Sequence, residues 1–326
     1  MGDPAGIGGE IALRAWAARR EGAPTFCIID DVARLAAIAE RFGIACPVVS
    51  ITTPDQAAAV FVRALPVLQP EHPLATPVAL GQPNSAAAAA VIGAIDQAVA
   101  LVRRGAAGAI VTNPIHKAGL AGAGFVFPGH TEYLGHLAGG LDAVMMLAIE
   151  GLRVVPVTVH LAMKEIAAAL TTEAIVRCGR ITAAALTRDF GVVKPRLAVA
   201  ALNPHAGEKG NMGDEETRII APAIAALKAE GIDANGPSPA DTLFHAGARS
   251  RFDAALCMYH DQALIPLKTL DFAGGVNVTL GLPFVRTSPD HGTAFDIAAR
   301  GVADPSSLMA SLRMAAHIAE RRGASQ

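Results

Sequence analysis

The sequence predicts an α/β protein built on a mainly parallel sheet, and three observations carry that expectation. Short β-branched runs alternate with longer alanine-rich helical patterns through most of the chain. The strand runs are near-continuous in apolar residues instead of alternating, as strands covered on both faces are. Hydrophobic residues make up 52% of 326 and charged residues 17%, enough to bury a sizeable core in about two domains or one large cleft-bearing unit, so disorder is excluded as the main state.

The first element is a helix over 11–19, entered through the glycine-rich stretch 2–10. Strands are predicted at 25–29, 48–51, 109–112, 144–149, 154–159, 197–201, 254–258 and 276–280. Helices are predicted at 31–41, 85–104, 172–190, 214–230 and 305–321. Asn84-Ser85 and Thr171-Thr172-Glu173 are helix start signals, because a short polar side chain can accept a hydrogen bond from the exposed first-turn N–H groups. Residues 52–83 are poor in pattern and rich in Pro and Gln, and read as a connection or a short hairpin excursion. No fixed-period repeat occurs.

Charge and composition narrow the function classes. The net charge is −2 with a pI near 6.5, and no basic stripe is visible, which argues against a nucleic-acid partner. Mean hydropathy is +0.39, yet the apolar stretches are interrupted by Arg, Asp, Gly or Pro before reaching the roughly 20 residues a spanning helix needs, so no membrane partner is expected. Cys27, Cys46, Cys178 and Cys257 are far apart and read as free thiols of a reducing compartment. Met1-Gly2-Asp3-Pro4 lacks a basic and an apolar region, so no export signal is read there and a cytoplasmic location is expected.

Polar motifs cluster where predicted strands end, the place where open α/β sheets bind ligands. His160, His205 and His260 each follow a predicted strand. Three neutral imidazoles around an open position are a catalytic metal site, whereas a lone histidine at a strand end is more often a hydrogen-bonded structural residue, and the three together leave the two readings about even. Only the fold could gather them, since they are 45 and 55 residues apart. Gly2 to Glu10 suits an anion at a helix N-terminus but matches neither dinucleotide nor P-loop fingerprints, and reads also as a tight turn before a packed helix. Thr131, at a probable helix start after His130, reads locally as an N-cap. Lys268, Asn277 and Arg286 lie around a Gly-rich strand and could clamp a phosphate or carboxylate, although either cation alone reads as solvated charge. Asp241 adds a carboxylate near a loop, and residues 288–294 form a turn suited to a phosphate-bearing cofactor that leads into another helix. No Gly-x-Ser-x-Gly elbow and no activated cysteine is present, so nucleophilic hydrolysis has little support.

Together the segments GDPAGIG (2–8), TNPIHK (112–117), FPGHTEYL (127–134), VTVHLAMKEI (157–166), LNPHAGE with GDEE (202–208, 213–216), PADT (239–242), MYHDQALIPLK (258–268), VNVTLGLPFVRTSPDHGTAFDIA (276–298) and ADPSSL (303–308) closely resemble the PdxA family of pyridoxal phosphate biosynthesis, the 4-hydroxythreonine-4-phosphate dehydrogenases. The resemblance implies a two-lobed α/β/α fold similar to isocitrate and isopropylmalate dehydrogenases, without a Rossmann fingerprint, as one catalytic unit around a central cleft. The expected lobes are 1–125 with 275–326, and 126–274. It implies metal ligands at His160, His205 and His260, and substrate contacts at His130, Thr131, Lys268, Asn277 and Arg286. His130, Asp241 and Lys268 are the candidate proton acceptors, and Gly281, Asp290, His291 and Thr293 candidate cofactor contacts. It further implies NAD or NADP, one divalent Zn, Mg or Co ion per site, and a homodimer with its active site at the subunit interface, one histidine ligand coming from the partner. The reaction implied is oxidation of 4-(phosphooxy)-threonine to a 3-oxo acid that decarboxylates to 3-amino-2-oxopropyl phosphate. The alternative is a paralogue acting on 4-phospho-threonate or 4-phospho-erythronate. Family members carry a strand before GDPAGIG, of which Met1 is the end, and Gly9 stands where proline is usual.

Overall fold

The computed structural model describes residues 1–127 and 129–324; Pro128 of the FPGHTEYL segment lies outside the described residues. Eleven strands occur among them: β1 Ile28–Ile29, β2 Val48–Ile51, β3 Leu65–Leu68, β4 Ala109–Val111, β5 Val144–Ile149, β6 Leu152–Pro156, β7 Arg196–Ala200, β8 Asp233–Ser238, β9 Ala254–Cys257, β10 Val276–Leu280 and β11 Val285–Pro289. The chain forms two compact units, Met1–Leu141 with Leu282–Glu320, and Asp142–Gly281 with Arg321–Gln326. Residues 126–141 thus belong with the first unit and 275–281 with the second, across the boundary drawn from sequence.

In the first unit β1, β3 and β2 form a parallel three-stranded sheet in that order, and β4 pairs with β11 in parallel. Its core gathers Ile11, Leu13 and Trp16 from the helix Gly8–Ala17 against Leu35, Leu65 and Val67. The helix Val32–Arg41 starts where Asp31 accepts the Arg34 N–H at 2.7 Å. The segment Ser85–Arg103 is long and apolar enough to cross a membrane by length and composition, and 56% of that stretch is buried within the protein, as in a core helix.

In the second unit the order is β10-β5-β6-β9-β7-β8. β5 runs antiparallel to both neighbours, and β6, β9, β7 and β8 are mutually parallel. The helix Thr172–Phe190 covers this sheet. It is opened by Thr171, which accepts the Ala174 N–H at 3.1 Å, and closed by Gly191 at φ +69°.

The sequence expectation is corrected at several points. Residues 52–83 contain β3, hidden by Pro66; that residue pairs only with β2, because β1 reaches only Val67 and Leu68. β8 has a turn-like composition, DANGPS, and survives at a sheet edge where only β7 must be matched. β11 is entirely buried despite Arg286 and Pro289. Turns, not a helix, follow Thr293 until Ser306. Thr131 does not cap: the helix His130–Leu137 starts from Gly129, and no side chain bonds its first turn.

Candidate functional site

Parallel register brings two of the predicted histidines together in the second unit. β6 and β9 are aligned from Val154 opposite Ala255 to Pro156 opposite Cys257. Pairing continues through the Val157 N–H to Cys257 O at 2.8 Å and the Thr158 N–H to Met258 O at 3.3 Å, with Thr158 Oγ1 donating to the same oxygen at 2.7 Å. Two residues further on each chain stand His160 and His260, their ring centroids 5.8 Å apart. They border a cavity of about 190 Å³ lined by Thr158, Met163, Ile166 and Tyr259. His160 adopts φ +49°, a conformation that costs an L residue about 1 kcal/mol or more. His260 begins a helix, His260–Leu270, and its Nδ1 lies 2.7 Å from Asp261 Oδ1, an arrangement that fixes an imidazole's tautomer and orientation.

His205 follows β7, the strand on the other side of β9. Buried Gln262 ties these strand ends together: its Oε1 accepts the Met258 N–H and its Nε2 donates to Ala201 O, both at 2.7 Å. Beyond β7 the chain enters a left-handed turn in which His205, Ala206, Gly207, Glu208 and Lys209 all have positive φ. Among the described residues no three His, Cys, Asp or Glu side chains converge as a metal site requires. His205 therefore does not complete a ligand set with His160 and His260 within one chain. The imidazole pair, with one ring oriented by a carboxylate, fits two corners of a divalent-cation site.

Asp241 lies in the exposed turn Ala240–Thr242 after β8, so it shares the sheet edge that bears the histidines. Lys268 is half-buried near the end of the His260 helix, its Nζ 5.2 Å from the Phe272 ring centroid. Eight residues of helix at about 1.5 Å each separate it from His260 by about 12 Å of rise. Asn277, on β10, has a buried Oδ1 without a hydrogen-bond partner, the state of a group awaiting a ligand donor. Gly281 has a local backbone reason: at φ +85° its absent Cβ would lie 2.3 Å from Asp142 O.

The first unit holds a buried cation beside an imidazole. Arg286, on β11, is 3% exposed and its Nη2 donates to Thr112 Oγ1 at 2.6 Å. Burial brings its pKa down to about 10, with Glu132 only partly opposing the shift. Burial, reinforced by Arg286 and Lys117, holds His130 well below the usual imidazole range, so this ring is neutral, and its Nε2 is buried without a partner. A buried cation, a neutral imidazole and hydroxyls are what an anionic group such as phosphate needs. The sequence singled out Arg286, His130 and Thr131, marked Thr112 only as part of a polar strand end, and did not single out Lys117, whose only signal was the TNPIHK segment. Glu132, in the FPGHTEYL segment, was likewise not singled out.

The glycine-rich entry loop packs on that same segment. The Asp3 N–H donates to Pro114 O at 2.9 Å, and a Cβ at Gly2 would sit 2.6 Å from that oxygen. Gly6 approaches Thr293 O, which accepts the Ile7 N–H at 3.1 Å. The glycines thus serve close backbone approach first. Beside the loop lies a cavity of about 310 Å³ lined by Asp3, Asn84, Ser85, His116 and Leu120, where burial raises the Asp3 carboxyl above its ordinary value. Of the expected cofactor contacts, Asp290 donates its N–H to Ser307 Oγ at 3.3 Å, and His291 Nδ1 lies 3.0 Å from Gly292 O with Nε2 buried and unbonded.

Comparison with known proteins adds a whole-chain match. Residues 23–315 fit the model of the pyridoxal phosphate biosynthetic protein PdxA. The chain is 55% identical to the 4-hydroxythreonine-4-phosphate dehydrogenase of Caulobacter vibrioides, covering 99% of this chain and 97% of that one. It is also 55% identical to that of Methylorubrum populi, with 98% and 93% covered. The crystal structure of the Klebsiella pneumoniae enzyme of the same name superposes with a TM-score of 0.88 at 40% identity over 98% of both chains. A terephthalate 1,2-cis-dihydrodiol dehydrogenase of Burkholderia xenovorans is more distant, with a TM-score of 0.63 at 27% identity, covering 97% and 96%. With its family model matched along nine-tenths of its length, and relatives sharing more than half its residues end to end, the chain belongs to the PdxA family.

Proposed function

We propose that this protein is a metal-dependent, NAD- or NADP-linked 4-hydroxythreonine-4-phosphate dehydrogenase acting in pyridoxal phosphate biosynthesis. The observation that carries the reading is the 55% identity to enzymes of that name over nearly the full chain. The geometry supports it in each unit: a buried guanidinium beside a neutral imidazole suits an anionic substrate, and paired imidazoles suit a divalent cation.

His160 and His260 would hold that cation, Zn²⁺, Mg²⁺ or Co²⁺, with the partner subunit's His205 as third ligand in a homodimer. Held there, a divalent ion would supply Lewis acidity toward the substrate's alcohol and toward negative charge developing beside it. A bound nicotinamide nucleotide would supply the hydride acceptor, and this chain's part is to orient the reacting carbon toward it. Arg286, positioned by Thr112, binds the anionic group, so that binding energy remote from the reacting carbon fixes its position. His130 contributes a hydrogen bond from a ring that stays neutral across the working range. Asn277 and Lys268 add polar contacts, and the hydroxyl proton passes to Asp241 or Lys268; His130, named with them from sequence, is held neutral beside Arg286 and is not the acceptor. Gly281, Asp290, His291 and Thr293 are assigned to the nicotinamide nucleotide, and the enzyme to the cytoplasm.

The direct test supplies purified protein with 4-(phosphooxy)-threonine, a divalent ion and NAD⁺ or NADP⁺, following absorbance at 340 nm. Formation of reduced nucleotide and 3-amino-2-oxopropyl phosphate is expected. No turnover with either nucleotide, or a higher kcat/KM on 4-phospho-threonate or 4-phospho-erythronate, overturns the assignment. Sedimentation should give a dimer, and a monomer retaining full activity contradicts the shared ligand set.

A further inference from the structure

We infer that Glu216 is a positioning residue that sets the left-handed turn carrying His205. The inference rests on the reading of His205 as a metal ligand. The turn is unusual: four of its six consecutive positive-φ residues, His205, Ala206, Glu208 and Lys209, carry side chains, and Gly207 and Gly210 are the other two. L residues visit this region singly and at a cost, and such a run persists only where the surroundings over-determine it. The surroundings here centre on one carboxylate.

Glu216 is 5% exposed. Its Oε1 accepts the Leu202 N–H at 2.9 Å and the Asn203 N–H at 2.7 Å, and its Oε2 accepts Asn203 Nδ2 at 3.0 Å. Three donors from the two residues preceding Pro204-His205 are thereby fixed by a single side chain. Glu215 Oε2 holds the same Asn203 amide at 2.7 Å. The turn folds back onto the carboxylate: a Cβ at Gly207 would lie 2.5 Å from Glu216 Oε2, and one at Gly213 2.4 Å from Asn203 Nδ2. Glu216 also opens the wide-turn segment Glu216–Ile220, whose Ile219 carbonyl accepts from Thr172 Oγ1 at 3.0 Å. Such wide turns aim side chains inward and recur at functional sites. Glu216 accepts only from neutral N–H groups at the base of the turn, so its work is to hold backbone in place.

The test measures Zn²⁺ dissociation constants on the full-length dimer by competition with a chromophoric chelator, alongside the melting temperature of the metal-free protein. Glu216→Ala, and Glu216→Asp with its carboxylate drawn back by one methylene, should weaken Zn²⁺ binding about 10- to 100-fold, the usual scale for groups that orient metal ligands. Glu216→Gln keeps an oxygen for both backbone N–H groups and should stay within about 3-fold of wild type. A merely structural glutamate would lower melting temperature and leave Zn²⁺ affinity of the folded protein unchanged. Unchanged affinity in either Glu216→Ala or Glu216→Asp overturns the inference, and the aspartate variant decides if the alanine variant fails to fold. His205→Ala separates the two levels. If it too binds Zn²⁺ as wild type does, the ligand reading falls and this inference with it; if it binds weakly while the Glu216 variants bind normally, only the positioning role falls.

Discussion

Replacing Arg286 tests the anion cluster most sharply, because two substitutions should fail in different ways. Burial lowers the Arg286 pKa from 12.5 to about 10; at about 1.4 kcal/mol per pH unit the free site penalises its own charge by about 3 kcal/mol. Removing one partner of a buried charge pair costs about 2–5 kcal/mol, so Arg286→Met should lose roughly 100-fold in kcat/KM. Arg286→Lys keeps a cation at neutral pH but starts from an ordinary value near 10.4. The same burial lowers the ammonium below that ordinary value, into a range that wild-type Arg286 does not reach. The sign is definite: a buried ammonium with a lowered pKa is charged below that pKa and neutral above it, so anion binding fails as pH rises. Arg286→Lys should therefore show an alkaline limb in kcat/KM within the assayed range, while wild type stays flat on this account. The assay is kcat/KM at 340 nm across pH 6–9.5, with phosphate-induced thermal stabilisation as a parallel reading. A Lys variant with the wild-type profile, or a Met variant within a few-fold of wild type, refutes the buried-cation reasoning.

Exhaustive chelation should abolish nucleotide reduction, with Zn²⁺, Co²⁺ or Mg²⁺ restoring it, and His160→Ala should block the restoration while leaving the circular dichroism spectrum intact. Asp189 is buried between Arg188 at 2.7 and 3.0 Å and Arg322 at 2.7 and 2.9 Å. Desolvation pushes its carboxyl up, but these hydrogen bonds outweigh that and hold it below the ordinary value. Its stabilisation is present above about pH 4 and lost as pH falls, so Asp189→Asn should cost about 3–5 kcal/mol at pH 7 in denaturant melts, with the gap narrowing in acid. Gln262→Leu strands the Met258 N–H and Ala201 C=O and should cost about 2–3 kcal/mol, with weaker Zn²⁺ binding because the strand ends bearing His260 and His205 lose their tie.

The sequence was legible where one rule governed. The continuous apolar run Val144–Ile149 matches the observed strand to the residue, because burial on both faces leaves no competing signal. It was illegible where tertiary context overrode composition: β3 carries a proline on one paired side, β8 is all turn formers, and β11 seats a buried arginine. The histidine pair shows the same divide. Each residue announced itself at a strand end, but the alignment of Thr158 with Met258 that sets His160 beside His260 is a property of strand order, which local pattern does not encode. Glu216 was legible only as one member of a polar, glycine-rich segment, because nothing in the local pattern tells which of its carboxylates turns inward to the backbone of Leu202 and Asn203.

Strain follows the same residues. Of the six non-glycine residues with positive φ among those described, His160 and His205 are two, three more belong to the His205 turn, and the sixth, Ala294, adjoins the proposed nucleotide turn. Each costs on the order of 1 kcal/mol, and proteins retain such costs where an exact side-chain direction matters more than stability. A plain connection could relax any of them with one glycine. Their concentration after β6 and β7, strands that flank β9, means that the fold pays for where two imidazoles point. The third, His260, needs no strain because a helix start and Asp261 orient it instead. Glycine at His160's neighbours would not reproduce this; only the strained residue itself carries the ring, so the site and the strain are inseparable by design of the backbone.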